Sequence, residues 1–192
     1  MTALPEPGQL LTIADYMALG EDDERCRREL QEGVLTISPS PTPRHNLVLP
    51  RLHAQVDAQL PPELVAVVDI DLDLQLVPAD GPATVRQPDL LIVDNAEYER
   101  VEAERGILRA SAAHLVVEIV SPGSRRTDYV MKRSEYEDAG IPHYWIIDMS
   151  APLSLVAFRL TEELGYVDNG EVTDVFTTTS PCPLTIQLGR LG

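Results

Sequence analysis

The sequence predicts an α/β protein with a mixed sheet, and three of its features carry that prediction. Residues 115–120 (LVVEIV) form the apolar run of a strand buried on both faces, and a second such run, residues 144–148, follows a helix-length segment. Residues 71–76 (DLDLQL) alternate at period two, the mark of a half-exposed antiparallel strand. Residues 44–60 place Leu47, Val48, Leu52, Val56 and Leu60 at the spacing of a packed helix. A strand–helix–strand unit among antiparallel strands makes a mixed central sheet flanked by helices.

The elements follow in order. Residues 1–11 read as a loose arm, and Thr12 opens a short helix to about Leu19, with Thr12 and Asp15 spaced as a capping box. Residues 21–28 are a polar, mixed-charge run suited to a solvated loop or helix face. Glu32-Gly33 predicts a tight turn, either between two short strands or between a helix end and a strand. Residues 38–43 (SPSPTP) form an extended connection. Pro50 predicts a kink in the 44–60 helix or a later start, and Pro61-Pro62 ends it. Residues 64–70 suit a strand, and 78–82 (PADGP) a turn. Residues 85–94 (VRQPDLLIVD) suit another strand, with Pro88 at an edge, a bulge or the strand's beginning. A short surface helix is expected over 97–105. Ser121-Pro122-Gly123 breaks the buried strand, and a helix runs from about Arg126 to Ala139. Gly140 suits its left-handed stop, and Pro142 bars continuation. Residues 154–160 alternate as a strand, 162–169 look turn-like, and 171–178 and 184–188 look like closing strands.

A chain of 192 residues with 44% apolar residues has the make-up of one ordinary globular domain. We place it at residues 29–192, behind an arm and short helix at 1–28. Fifteen basic against thirty-one acidic residues leave a net charge of −16, which argues against sequence-independent nucleic-acid binding through a broad basic face. A local basic groove or a metal-bridged contact remains compatible with it. Cys26 and Cys182 show neither finger nor CxxC spacing, so no zinc site or disulfide scaffold is indicated. The first residues lack a basic and apolar leader, and no apolar run reaches membrane-spanning length, so a cytoplasmic protein without membrane contact is expected.

Two residues are improbable where they stand. Glu118 interrupts a strand buried on both faces, where a carboxylate is costly unless a cation, a metal or several donors meet it. Lys132 is the one lysine of a chain whose other fourteen basic residues are all arginine. Lysine offers a compact charge whose pKa can shift, which guanidinium does not. The plainer account is a helical pair of Lys132 with Asp128 or Glu135.

Asp89 follows Pro88 at the head of the apolar run 90–93. If its strand neighbours that of Glu118, the two carboxylates converge, and like charges there call for a cation. Oxygen ligands favour a hard ion, Mg²⁺ or Mn²⁺, able to activate water and orient a phosphate. The structural alternatives are that Asp89 caps a turn and that Glu118 pairs with an arginine.

The pair Pro88-Asp89 followed by an acid on a later strand belongs to a set of ordered blocks. These are residues 29–33 (ELQEG) with Ser38-Pro39 and His45; Gln87-Pro88-Asp89-Leu90; 117–122 (VEIVSP); Asp128 with Lys132 and Tyr136; and 140–148 (GIPHYWIID). From about residue 29 to residue 160 the chain resembles the Uma family of restriction endonucleases, once catalogued as a domain of unknown function, within the PD-(D/E)xK nuclease superfamily. The resemblance implies a restriction-endonuclease-like core with extra N- and C-terminal strands, and a Mg²⁺- or Mn²⁺-dependent endonuclease acting on DNA. It implies that Asp89 and Glu118 are metal ligands and that Glu29 is an additional catalytic carboxylate. The motif's lysine position, two residues after Glu118, holds Val120. The resemblance therefore assigns the catalytic lysine to Lys132 on the following helix, with Asp128 holding its ammonium.

His45 matches a family histidine and is a candidate substrate contact or proton carrier, or simply a helix cap. Tyr136 faces either the site or the core, and Trp145 reads as core. Arg125 and Arg126, near Lys132 and Arg133, form the concentrated basic patch where a phosphate backbone would be met. DNA binding is expected to be weak and salt-sensitive. A small nuclease without a separate specificity module implies a homodimer or higher oligomer. A different class stays open: a catalytically inactive nuclease-fold scaffold, or a regulator that binds nucleic acid or protein.

Overall fold

The computed structural model describes residues 8–20, 27–38, 40–120 and 123–192. Expectations for residues 1–7, most of the polar run 21–28, Pro39, Cys26, Ser121 and Pro122 lie outside the described residues.

Helix α1 (Ile13–Ala18) starts on the expected capping box: the Thr12 hydroxyl accepts the Asp15 N–H, and the Asp15 carboxylate accepts the Thr12 N–H at 2.9 Å. Strands β1 (Arg27–Gln31) and β2 (Val34–Ser38) form an antiparallel hairpin. Its turn residues Glu32 and Gly33 have φ of 48° and 79°, the pair of left-handed conformations that a two-residue turn needs. A Cβ on Gly33 would stand 2.9 Å from the Cβ atoms of Leu10 and Pro82. The arm is not loose at its end: Leu11 is buried and its N–H donates to the Gly33 carbonyl at 2.8 Å.

Helix α2 (His45–Asp57) carries Pro50 in its interior and starts before it, so the later start does not occur. The proline costs the helix one bond, to the Asn46 carbonyl, while buried Val48, Leu49, Leu52 and Val56 hold it to the core. Then come β3 (Leu64–Val68), β4 (Leu72–Asp73), β5 (Val85–Arg86), β6 (Leu90–Asp94), α3 (Asn95–Glu104), β7 (Leu108–Arg109) and β8 (Ala113–Val120). A helix follows, π-helical over Thr127–Lys132 and α-helical as α4 (Arg133–Asp138). Gly140 stops it at φ 72°, as expected. The chain closes with β9 (His143–Asp148), β10 (Ser154–Thr161), β11 (Gly165–Val172), β12 (Val175–Thr178) and β13 (Leu184–Gln187).

The central sheet has the order β11-β10-β9-β8-β6-β3 and is mixed, with β8 and β9 parallel and every other pair antiparallel. A second sheet, β2-β1-β5-β4-β7, and the hairpin β12–β13 complete the fold. Alternation along the central strands sends Leu90, Ile92, Val117, Ile119 and Trp145 to a core shared with α2 and β13. Leu91, Val93, Val116, Val120 and Ile146 point the other way, towards Tyr136 of α4 and Leu72 and Leu108 of the second sheet.

Three expectations need correction. Residues 85–94 are two strands in different sheets, because Pro88 lacks the N–H that would continue the ladder. The alternation in 71–76 is real, with Leu72 and Leu74 buried, but left-handed Asp69 (φ 52°) and Gln75 (φ 55°) flank a ladder of only two residues. The turn-like reading of 162–169 fails from Gly165 onward. There β11 pairs with β10 and buries Tyr166, whose hydroxyl donates to the Ile141 carbonyl at 2.7 Å. The following strand is accordingly shorter than 171–178.

The Tyr16 hydroxyl ties α1 to the second sheet, 3.0 Å from the Arg28 carbonyl on β1 and 3.0 Å from Asp71 Oδ2 just before β4. Its single proton can serve only one of them, and Asp71 Oδ1 is buried without a partner. Burial pushes the Asp71 carboxyl up from 3.8 to about 6, against the downward pull of the Tyr16 hydrogen bond. A carboxyl raised in this way stabilises the fold most below its unfolded pKa and loses that stabilisation as pH rises through about 6. Asp71→Asn is therefore expected to raise Tm at pH 8, by up to about 3 kcal/mol of stability, with the gain fading towards pH 4. Thermal unfolding of both proteins across that range checks it, and a gain independent of pH contradicts it.

Candidate active site

The site grows from the register of β6 on β8. Leu90 pairs with Val117, so one step further sets Asp89 opposite Glu118, both on the face of α4. Pro88 has already taken the chain out of the ladder. Beyond Val117, strand β8 has therefore lost its β6 backbone partner, and the Asp89 carboxylate replaces it: Oδ2 accepts the Ile119 N–H at 2.5 Å. Both carboxylates are buried, Asp89 at 2% and Glu118 at 3% exposure.

The helix after β8 brings Lys132 back over Glu118. Its wider π-helical turns, a form frequent at functional sites, bury Asp128 and Lys132 together. Lys132 Nζ lies 2.9 Å from Glu118 Oε1, 2.9 Å from Glu29 Oε1 and 3.9 Å from Asp128 Oδ1. Tyr136, one turn on, donates its hydroxyl to the same Glu118 oxygen at 2.7 Å. Glu135 is not the partner of Lys132. It takes two hydrogen bonds from buried Arg86, at 2.7 and 2.6 Å, and Arg86 Nη1 reaches Glu29 Oε2 at 3.0 Å. Glu29 thus stands between two cations at the seam of the two sheets.

Asp89 Oδ1 meets His45 Nε2 at 2.9 Å and Arg27 Nη1 at 2.6 Å, and Arg27 also pairs with Asp69. His45 Nδ1 is buried without a partner. Burial works to raise the Asp89 pKa, but His45, Arg27 and the Ile119 N–H outweigh it and hold the carboxyl below its ordinary value. For Glu118 burial wins. Against the pull of Lys132, and with Asp89, Asp128 and Glu29 adding to it, the carboxyl is pushed above its ordinary value. Burial opposes the charge on Lys132, yet Glu118, Glu29 and Asp128 together raise its pKa. Glu29 sits below its ordinary value because Lys132 and Arg86 overcome its burial.

A cavity of about 390 Å³ opens over these groups, lined by Arg27, Glu29, His45, Asp89, Glu118, Ile119, Asp128 and Lys132 among others. The fold thus brings together Glu29, Asp89, Glu118, Lys132 and His45. Arg125 and Arg126 do not line the cavity: Arg125 pairs with Asp148 and stacks over Tyr129, and Arg126 is exposed on the same helix. Trp145 is core. Among the described residues no three His, Cys, Asp or Glu side chains close on one point as a ready metal cage. Arg27 and Arg86 went unnoticed in the sequence, and Glu135 stood out there only as a partner for Lys132. For Arg27 a signal existed, since residues two apart on a strand share a face, and Arg27 and Glu29 are two apart on β1. Nothing local marks Arg86.

This mixed α/β fold recurs in a solved structure from Anabaena variabilis, described as "a putative nuclease belonging to DUF820". The two share 17% sequence identity with a TM-score of 0.69, over 94% of this chain and 97% of that one. Identity that low speaks to the fold alone. The chain belongs to the Uma2 family, described as "Putative restriction endonuclease", which matches residues 13–184. No curated protein matches it. The family expected from the ordered blocks is the family found, over a longer stretch.

Removing one partner of a buried ion pair strands the other charge. Lys132→Met is expected to destabilise the protein by about 3–5 kcal/mol, and Lys132→Met with Glu118→Gln by clearly less. Urea unfolding of the single and double variants measures this, and simple additivity would mean that the pair does not interact.

Proposed function

We propose that the protein is a Mg²⁺- or Mn²⁺-dependent endonuclease that hydrolyses DNA phosphodiester bonds with metal-activated water. The observation that carries this reading is the position of Lys132, with Nζ 2.9 Å from Glu118 Oε1 in a cavity that Asp89 also lines. The lysine missing at Val120 is supplied from the next helix. Family membership supports the same reading.

The donor set fits a hard ion. Mg²⁺ is commonly held by one or two carboxylates, with waters and substrate phosphate filling its other positions, so a protein cage is not required. Asp89 and Glu118 would hold it, and the ion when bound supplies Lewis acidity and an acidified water. The chain's own residues do the rest. Ile119 N–H and His45 orient the Asp89 carboxylate, and Tyr136 and Lys132 orient that of Glu118. Glu29 and Asp128 keep the Lys132 ammonium charged and aimed at the cavity, where it can neutralise charge developing on a phosphate oxygen. Arg125 and Arg126 lie on the same helix and would meet the flanking backbone. Against a net charge of −16 this contact is weak and salt-sensitive. Cutting both strands calls for a second copy, so the working form is a homodimer or larger. Among the described residues no helix is long and apolar enough to cross a membrane, and we place the activity in the cytoplasm.

Supercoiled plasmid at low salt is expected to be nicked with Mg²⁺ or Mn²⁺ and spared with EDTA. Glu118→Gln should lower the rate by roughly a hundredfold or more, and Lys132→Arg, which keeps charge but loses the compact head, by a similar factor. No cutting under any condition would favour an inactive scaffold, a reading consistent with the protein donors that already meet Asp89. Cutting that survives Lys132→Arg but not Glu118→Gln would leave the metal site and demote the lysine to structure.

A further inference from the structure

Asp89 is already crowded by protein donors. Its Oδ1 meets two cationic or potentially cationic groups, Arg27 at 2.6 Å and His45 at 2.9 Å, and its Oδ2 accepts a backbone N–H from β8. A divalent ion arriving at Oδ1 would compete for the same lone pairs and be repelled by the guanidinium beside them. For an ion at Oδ1, one donor has to leave. Ile119 is fixed in the central strand, and the His45 side chain is 7% exposed in the first turn of α2. Arg27 is different. It is the first residue of β1, its side chain is 21% exposed, and its other anchor, Asp69, is 44% exposed at the rim.

We propose that Arg27 is the resident counter-ion of Asp89, that a divalent ion displaces it, and that the displaced guanidinium then binds the substrate phosphate. This rests on the metal-dependent nuclease reading above. Arg27 lines the cavity, so a short swing keeps its head beside the ion's position. Guanidinium is suited to that exchange, because its planar fork matches carboxylate and phosphate alike. The same residue therefore weakens ion binding before substrate arrives and strengthens phosphate binding afterwards. The two roles have opposite signs in one variant, which a merely structural arginine would not produce.

The test is a calorimetric titration of Mn²⁺ without DNA into the wild type, Arg27→Gln, Arg27→Lys and Glu118→Gln, with near-UV circular dichroism to confirm the fold. Arg27→Gln is expected to bind Mn²⁺ about tenfold more tightly, because ion and guanidinium no longer compete. Arg27→Lys, which keeps the charge, should stay near wild type, and Glu118→Gln should bind weakly. In parallel, duplex oligonucleotide binding in Ca²⁺ is followed across salt concentrations. There Arg27→Gln should bind less tightly, with a log–log salt slope shallower by about one, the signature of one lost phosphate contact. Wild type binding Mn²⁺ with Arg27→Gln unchanged or weaker overturns the counter-ion, and an unchanged salt slope overturns the phosphate role. No Mn²⁺ binding at millimolar ion by either the wild type or Arg27→Gln overturns the proposal together with the metal-dependent reading beneath it, and so separates the two failures.

Discussion

A carboxylate inside a strand buried on both faces is the constraint that organises this protein. Glu118 cannot remain there unanswered, since an unpaired buried charge costs several kcal/mol. The fold answers it from the returning helix, which brings both Lys132 and Tyr136, and Lys132 is met in turn by the Glu29 carboxylate of the second sheet. Each is costly to bury alone. Arg86 extends the chain of charges to Glu135, so the seam between helix and sheets is polar, paired and specific in its geometry. A hydrophobic seam of equal volume would hold the layers as well. The ions here are therefore not explained by stability alone.

The seam also explains the shape of the fold around it. Pro88 stops β6 one residue short of where the ladder would seal over Ile119, and Asp89 takes that N–H with its side chain. A gap in backbone pairing thus becomes a fixed carboxylate at the mouth of a cavity. The π-helical turns on the other wall serve the same end, by setting Asp128 and Lys132 side by side against β8. Irregularities in the strand and in the helix face each other across the site, while the regular ladder between β8 and β9 keeps them in register.

Electrostatically the molecule is divided. Its surface carries most of an excess of sixteen negative charges, whereas Lys132, Arg86 and Arg27 lie inside or at the rim, matched to carboxylates. The cavity keeps the sign of the whole: its lining holds four carboxyl groups, Glu29, Asp89, Glu118 and Asp128, against the permanent cations Arg27 and Lys132.

The amino-acid sequence by itself determined the class of fold, the two carboxylates and the lysine. Each is a local anomaly: an acid in an apolar strand, an acid after a proline, one lysine among arginines. Within a strand once recognised, such as 115–120, alternation also fixes which residues share a face, because it is a property of the backbone alone. Tertiary structure decided the partners. That Glu135 belongs to Arg86, that Arg27 sits on Asp89, and that residues 85–94 serve two sheets are facts of register and packing between segments far apart in the chain. Residues 165–172 show the same limit from the other side. Polar and glycine-containing, they carry no strand signal, and they become β11 because the edge of β10 offers unpaired backbone groups and a pocket for Tyr166. A sequence states which groups are expensive to bury, and only the folded chain determines what each of them meets.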